Sequence, residues 1–457
     1  MSERTILDAH LEEHERLLRI ARHMAEFAGS DGWPCLTTLD SSLETDQDLQ
    51  TMTSEIRARY LEGLSEITSR RWRTPPDGIA MPFPGGGEPY AYTYDRQHPP
   101  KALESRMTTT EQTGVMLCSS GMAALNVVFQ AFNFLMDRRR TLVAFASYFE
   151  TLSLLRIGPF SDRWSRARSE TELSELIMDG KVGIVLLEPV HYNWQLVATD
   201  WTDIVTALSD CDHPPIVVLD TTLSGDCAMQ TSLIERLRSV TPALICIRSG
   251  IKLDQQGLEL ANLGIVEFWC DDPQLLEKVG STLKTCRSIC GATLTWPDAC
   301  ALAPEPIFGP ESFRTYSGLV FETARDLFDR LKQSGELFAS VSHPEPPWPA
   351  PLVVMELADG GSDNYRDLAT LLDHEQRRRG LHWQMSGSFG FRTHRYETIL
   401  PEELLRPGET HSGALKIAAG CYAGARHEGI IELLLELSSY PDLQTAGQKL
   451  GRRHYAC

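Results

Sequence analysis

The sequence predicts an α/β fold: a large domain on a mostly parallel, helix-covered sheet, followed by a smaller α+β C-terminal domain. Two observations carry this. From about residue 114 to 270, short β-branched runs alternate with stretches of helical apolar spacing, the pattern of repeated strand–helix units. Beyond the Pro-rich stretches at 303–310 and 344–351, the strand-like PLVVMELAD and LKIAAG intersperse with the helix-like NYRDLATLLDHEQRRRG and HEGIIELLLELSSY.

Along the chain, residues 5–28 set Ile6, Leu7, Leu11, Leu17, Leu18, Ala21, Met24 and Phe27 on one helical stripe that ends at Gly29. A second helical stretch near 47–68 follows, so residues 1–80 read as an extension laid over a core or over a partner subunit. Strands are expected at 141–146, 183–187, 216–219, 244–247 and 263–268. The helices between them are SETELSELIMDG, TDWTDIVTALSD and TSLIERLRSV. The expected domains are 1–80, 81–310 and 311–457, with a polar surface tail from 440.

Composition narrows the function. With 43 Lys+Arg against 62 Asp+Glu the net charge is −19, which works against nucleic acid or an anionic membrane as a partner. Length (457 residues) and 42% hydrophobic content suit a large enzyme subunit with a substantial core. Eleven Cys, scattered and odd in number, fit reduced thiols. Cys286 and Cys290 lack a second pair at zinc spacing, so no metal site is expected. The N-terminal residues lack an apolar signal core and no stretch matches a membrane span, which places the chain in the cytoplasm by default.

In open α/β sheets ligands sit beyond the carboxyl ends of strands. Asp220 ends the run IVVLD and is followed by Thr222. It is either a turn cap or a carboxylate for a protonated heteroaromatic nitrogen. Lys252, beyond the next strand in IRSGIKLDQQG, could form a Schiff base. Ser119, Ser120, Gly121 and Met122 open an apolar helix whose N-terminal N–H groups suit a phosphate. Tyr148 falls past another strand, where its ring could stack on a planar cofactor.

Taken in order, these residues resemble the fold type I pyridoxal-5′-phosphate (PLP) enzymes, of the aspartate aminotransferase-like fold. Within them the resemblance is to the Cys/Met-metabolism group of cystathionine γ-synthase, cystathionine β-lyase and methionine γ-lyase. Five segments match: YTYDRQHPP with Tyr94 and Arg96; Ser119 to Ala124; Tyr148 to Thr151; Asp220 with Thr222; and Ser249 to Lys252. The resemblance implies that Lys252 forms the Schiff base with PLP and shuttles protons, and that Asp220 pairs with the pyridine nitrogen. Tyr148 is implied to stack on the ring, and Ser120, Gly121, Met122 and Ser249 to bind the phosphate. Asn193 in EPVHYNW resembles the Asn that hydrogen-bonds the ring oxygen. Tyr94 and Arg96 are implied to reach the phosphate of a neighbouring subunit, giving a homodimer or homotetramer with shared sites.

Departures from the group's pattern are plain. His98-Pro99 replaces Asn-Pro, LDQQGLELANLG replaces the Gly-Gly-His stretch after the lysine, and Lys416 stands where an Arg binds the substrate carboxylate. A Lys lacks the planar fork of Arg, so Arg395, with Arg392 close behind, is the alternative carboxylate ligand. The implied activity is β/γ-elimination or γ-replacement on an amino acid, S-adenosylmethionine or a homoserine or cysteine derivative among them. A second small-molecule substrate and a place in specialised biosynthesis go with it. Aminotransferase or other α-carbon chemistry uses the same Lys and Asp, and a catalytically silent dimer partner is the reading from outside enzymology.

Overall fold

A computed structural model of the chain describes residues 3–28, 36, 38–73, 80–81, 90–91, 100–108, 113–137, 140–192, 195–304, 306–333, 335–400 and 413–450; at 3–4, 67–73, 80–81 and 90–91 it describes the backbone alone. Two long helices form an N-terminal arm, α1 (Glu3–Ala28) and α2 (Leu43–Arg73). They extend the two stretches expected at 5–28 and 47–68. Their stripes, including Leu17, Met24, Ile56 and Tyr60, join one apolar cluster with Leu117, Leu263, Trp296 and Phe308 of the same chain. The Tyr60 hydroxyl donates to the carbonyls of Cys300 and Ala301. The arm therefore lies over its own chain's core.

After a two-residue antiparallel pair, β1 (Ala80–Met81) and β2 (Tyr90–Ala91), and the short α3 (Lys101–Met107), the large sheet begins. Its strands are β3 (Thr113–Cys118), β4 (Thr141–Ala144), β5 (Trp164–Arg166), β6 (Val182–Leu187), β7 (Ile216–Asp220), β8 (Leu244–Ser249) and β9 (Gly264–Trp269). They lie in the order β3-β9-β8-β7-β6-β4-β5. Only β9 runs against its neighbours; β8, β7, β6, β4 and β5 are parallel. Every residue of β6 is buried, as expected of a strand covered on both faces. The covering helices are α4 (Gly121–Leu135), α5 (Phe149–Ile157), α6 (Glu170–Met178), α7 (Thr202–Asp210), α8 (Ala228–Arg238), α9 (Pro273–Ile289) and α10 (Trp296–Ala301).

Several helix starts are written into the sequence as side-chain caps: Ser120 for α4, Ser169 for α6, Asp272 before Pro273 for α9. Pro310 likewise opens the 22-residue α11 (Pro310–Leu331), which leads into the second sheet. That sheet comprises β10 (Phe338–Ser342), β11 (Leu352–Leu357), β12 (Gln384–Met385), β13 (Arg395–Ile399) and β14 (Ala414–Ala418), in the order β10-β11-β14-β13-β12. Helices α12 (Ser362–Arg378), α13 (Ala425–Ser438) and α14 (Leu443–Lys449) complete it. Leu352, Val354 and Ala414 of this sheet share a core cluster with Val185, Val217 and Leu219 of the large one. The two sheets thus meet through apolar packing. No helix among the described residues is long and apolar enough to cross a membrane.

Candidate active site

Because β9 is antiparallel to both β3 and β8, strands β3, β8, β7, β6 and β4 all end at one edge of the sheet. The second sheet faces that edge. Between them lies a cavity of about 890 Å³, lined from the large sheet by Ser120, Tyr148, Asp220 and Lys252 and from the small one by Val354, Glu397 and Lys416. On β11, β13 and β14 the lining residues are every second one, the spacing that puts them on one face of a strand.

Lys252 sits three residues past β8. Its ammonium donates to the Ser388 hydroxyl and stands 5.1 Å from the centre of the Phe389 ring. Burial, with repulsion from Lys416 next, brings its pKa down to about 8, so a substantial fraction is neutral amine at physiological pH. Ser388 has φ 75, a conformation costly for a residue with a Cβ. Gly390, at φ 81, lies so close that a Cβ there would come within 2.9 Å of the Lys252 carbonyl carbon. The 386–392 loop is thereby pressed onto the lysine.

On the adjacent strand end, Asp220 accepts the Thr222 N–H at 2.9 Å. Burial pushes its pKa up, with the Thr222 bonds opposing. No cation pairs with it among the described residues, so it is an acceptor suited to a protonated ring nitrogen. The Thr222 hydroxyl accepts the Ser249 N–H at 3.0 Å, locking the ends of β7 and β8 together. Ser120 caps α4 by accepting the Ala123 N–H at 3.0 Å. Gly121 packs against Ser249, where a Cβ would fall 2.9 Å from the serine Cβ. The positive end of α4 and the Ser120, Thr222 and Ser249 hydroxyls converge on one corner that could hold a phosphate.

Tyr148 is the N-cap of α5, and its N–H donates to the buried Glu188 just past β6. Glu188 also accepts the Tyr192 N–H at 3.2 Å, bringing the two rings edge to face at 5.3 Å. The Lys416 ammonium donates to the Tyr192 hydroxyl at 2.8 Å and pairs with Glu397, its cross-strand neighbour. Burial opposes its charge, yet Tyr192 and Glu397 raise its pKa. Lys416 is thus a charged group for an anion, Lys252 a partly neutral one for chemistry.

Of the residues singled out in the sequence, Ser120, Gly121, Met122, Tyr148, Asp220, Thr222, Ser249, Lys252 and Lys416 line the one cavity. Ser119 does not; its N–H donates to the Ala292 carbonyl at 2.8 Å. Tyr94, Arg96 and Asn193 lie outside the described residues. The expectation for Arg392 is corrected: it is 3% exposed, ion-paired with Glu13 of α1, and donates to the Gln256 carbonyl at 3.0 Å. Arg395 does not line the cavity either; it pairs with Glu259 at 3.1 Å and lies 3.4 Å over the Phe391 ring. Both arginines serve contacts made by elements distant in sequence, which motif spacing does not report. Ser388, Phe389, Glu188, Tyr192 and Glu397 were not picked out beforehand; the SGSFG loop carried the only local hint, two glycines flanking a serine and a phenylalanine.

No protein-family model matches the chain, and no curated protein matches it by sequence. Solved structures do match. A cystathionine γ-synthase from Xanthomonas oryzae pv. oryzae, in complex with aminoacrylate and cysteine, is 17% identical with a TM-score of 0.56, covering 82% of this chain and 94% of that one. An apo methionine γ-lyase from Micromonospora echinospora is also 17% identical, at a TM-score of 0.54 over 79% of this chain and 92% of its own. A cystathionine γ-lyase from Lactobacillus plantarum, complexed with L-serine, is 16% identical at 0.55 over 76% and 88%. The chain has the fold of these proteins, as the sequence resemblance implied.

Proposed function

We propose that this chain is a PLP-dependent enzyme that eliminates or replaces a substituent at Cβ or Cγ of an amino acid. The observation that carries the reading is Lys252, its pKa brought down to about 8, lining one cavity with Asp220, a buried acid with no cation partner among the described residues. The residues fit the cofactor. The corner of Ser120, Gly121, Thr222 and Ser249 would take the phosphate, Asp220 the ring nitrogen, Tyr148 the ring face and Lys252 the aldehyde carbon. When bound, the cofactor supplies an electron sink for charge left at Cα.

The chain's own residues do the rest. Lys252, as neutral amine, takes the proton from Cα and returns it further along the substrate. Ser388 holds that amine in place. Burial favours the neutral form of the Asp220 carboxyl; opposite a cationic ring nitrogen it would be held as a carboxylate. Lys416 meets the substrate's α-carboxylate, which exchanges with Glu397. Tyr94 and Arg96 complete the phosphate site of a neighbouring subunit in a homodimer or homotetramer. Phe149 (56% exposed) and Ile157 (84% exposed) on α5, next to the cavity, support such a partner.

The substrate is an amino acid whose departing group is stable once expelled: a sulfonium such as S-adenosylmethionine, or a homoserine or cysteine derivative. A second small molecule then captures the remaining skeleton, in specialised metabolism in the cytoplasm. The test is to add PLP to purified chain, follow its absorbance while adding these amino acids, and analyse the products. Thioether or other leaving-group release supports the reading. Amino transfer to a 2-oxo acid without release would make the chain an aminotransferase, and failure to take up PLP would refute the cofactor.

A further inference from the structure

We propose that Glu13 of the N-terminal arm is a positioning residue for Lys252, acting through Arg392 and the loop that carries Ser388. The inference rests on the reading of Lys252 as the reactive amine. Glu13 (1% exposed) and Arg392 (3% exposed) form an ion pair removed from water. The same guanidinium donates to the carbonyl of Gln256, four residues past Lys252. Arg392 therefore ties the 386–392 loop to the segment that leaves the lysine, and Glu13 fixes where the guanidinium points. Tyr316 grips the same loop from α11, donating to the Gly390 carbonyl at 3.2 Å. Gly390, the residue Tyr316 holds, packs on the Lys252 backbone, and Ser388, two residues before it, is bonded to the lysine amine.

The arm reinforces the arrangement from a second helix. Arg57 of α2 donates to the carbonyls of Leu258 and Glu259, each at 2.9 Å. Glu13 has a second cation, Arg16, at 2.5 Å, and the Cys421 thiol within 3.8 Å. A helix pair remote from Lys252 in sequence thus holds both loops that shape its surroundings. The charged groups that act on Lys252 are Lys416, Glu150, Glu259 and Arg395, with Asp220 in the same cavity; Glu13 is not among them.

The test compares full-length chain with Glu13→Gln, which keeps the shape but weakens the hold, and with Arg16→Gln, which removes the other partner of Glu13. Lys252 acetylation is followed by mass spectrometry against the exposed Lys278, across pH, alongside Tm and PLP uptake. Loosening the loop admits water, and desolvation is the largest influence on Lys252. Glu13→Gln should raise the acetylation midpoint by about one pH unit, cutting labelling at pH 8 about fivefold, while Arg16→Gln leaves it in place. A double variant, Glu13→Met with Arg392→Met, replaces the pair by apolar packing and must show the same shift if Glu13→Gln does not fold. A lowered Tm with the Lys252 midpoint unmoved would reduce Glu13 to a structural residue and overturn the proposal. A shifted midpoint in a chain that takes up no PLP would uphold the positioning role and overturn the cofactor reading alone.

Discussion

Lys252 and Arg392 belong to loops that touch, and both are cations drawn away from bulk water, yet the fold treats them oppositely. Arg392 is given a buried carboxylate and a carbonyl; burial opposes its charge, but Cys421, Glu13 and Tyr316 raise its pKa on balance. Lys252 is given a hydroxyl, an aromatic face and the repulsion of Lys416, with no ion pair among the described residues. A buried charge with its partner makes structure, and removing either member is costly. A buried charge without one is held near its titration point and is available for chemistry.

The contrast can be broken at either end. The largest effect belongs to Lys252→Ala, which should lower turnover about 10²–10⁴-fold and abolish any borohydride-reducible PLP adduct; an adduct surviving at another lysine would end the assignment. Next comes Arg392→Met, which leaves the buried Glu13 with Arg16 alone and should lower stability in urea unfolding, whereas Lys252→Met should cost nothing in the cofactor-free chain. Equal losses would erase the distinction.

A pH series sharpens it further. The folded chain releases the Lys252 proton near pH 8, while the unfolded chain keeps it to the ordinary value of 10.5. Between those values the unfolded chain binds more protons, so this group makes stability rise with pH, by at most about 3 kcal/mol. Lys252→Met should flatten that rise in unfolding curves taken from pH 7 to 10.5. The smallest effect separates the cavity cation from the one outside it: Lys416→Ala should raise the amino-acid KM about 10-fold, and Arg395→Ala should change it little. The reverse ranking, measured by substrate saturation, would return the carboxylate role to Arg395.

What could be read beforehand followed from short-range physics. The β-branched runs announced β4 and β6 to β9, and a polar residue just past an apolar strand announced Asp220 and Lys252. The edge strand β5 was not anticipated: three residues with two of them exposed leave no apolar pattern. Arg392 was misassigned because its partner Glu13 lies 379 positions away, a separation no local spacing encodes. Ser388 escaped notice for the same reason. Its hydroxyl matters only because folding brings it to an amine 136 positions earlier.

The arm's contacts fall on both sides of the cavity. Arg57 grips the segment following the large sheet's Lys252, while Asp46 accepts from the Tyr422 hydroxyl at 2.6 Å and from the Arg426 N–H beyond β14. The two helices therefore act as a splint across the cleft. Swinging the smaller sheet away from the larger would break these contacts, among them the buried bond from the Arg426 N–H to Asp46. Substrate entry and product exit are then left to rim side chains such as Phe149 and Arg156, which can turn without moving a sheet.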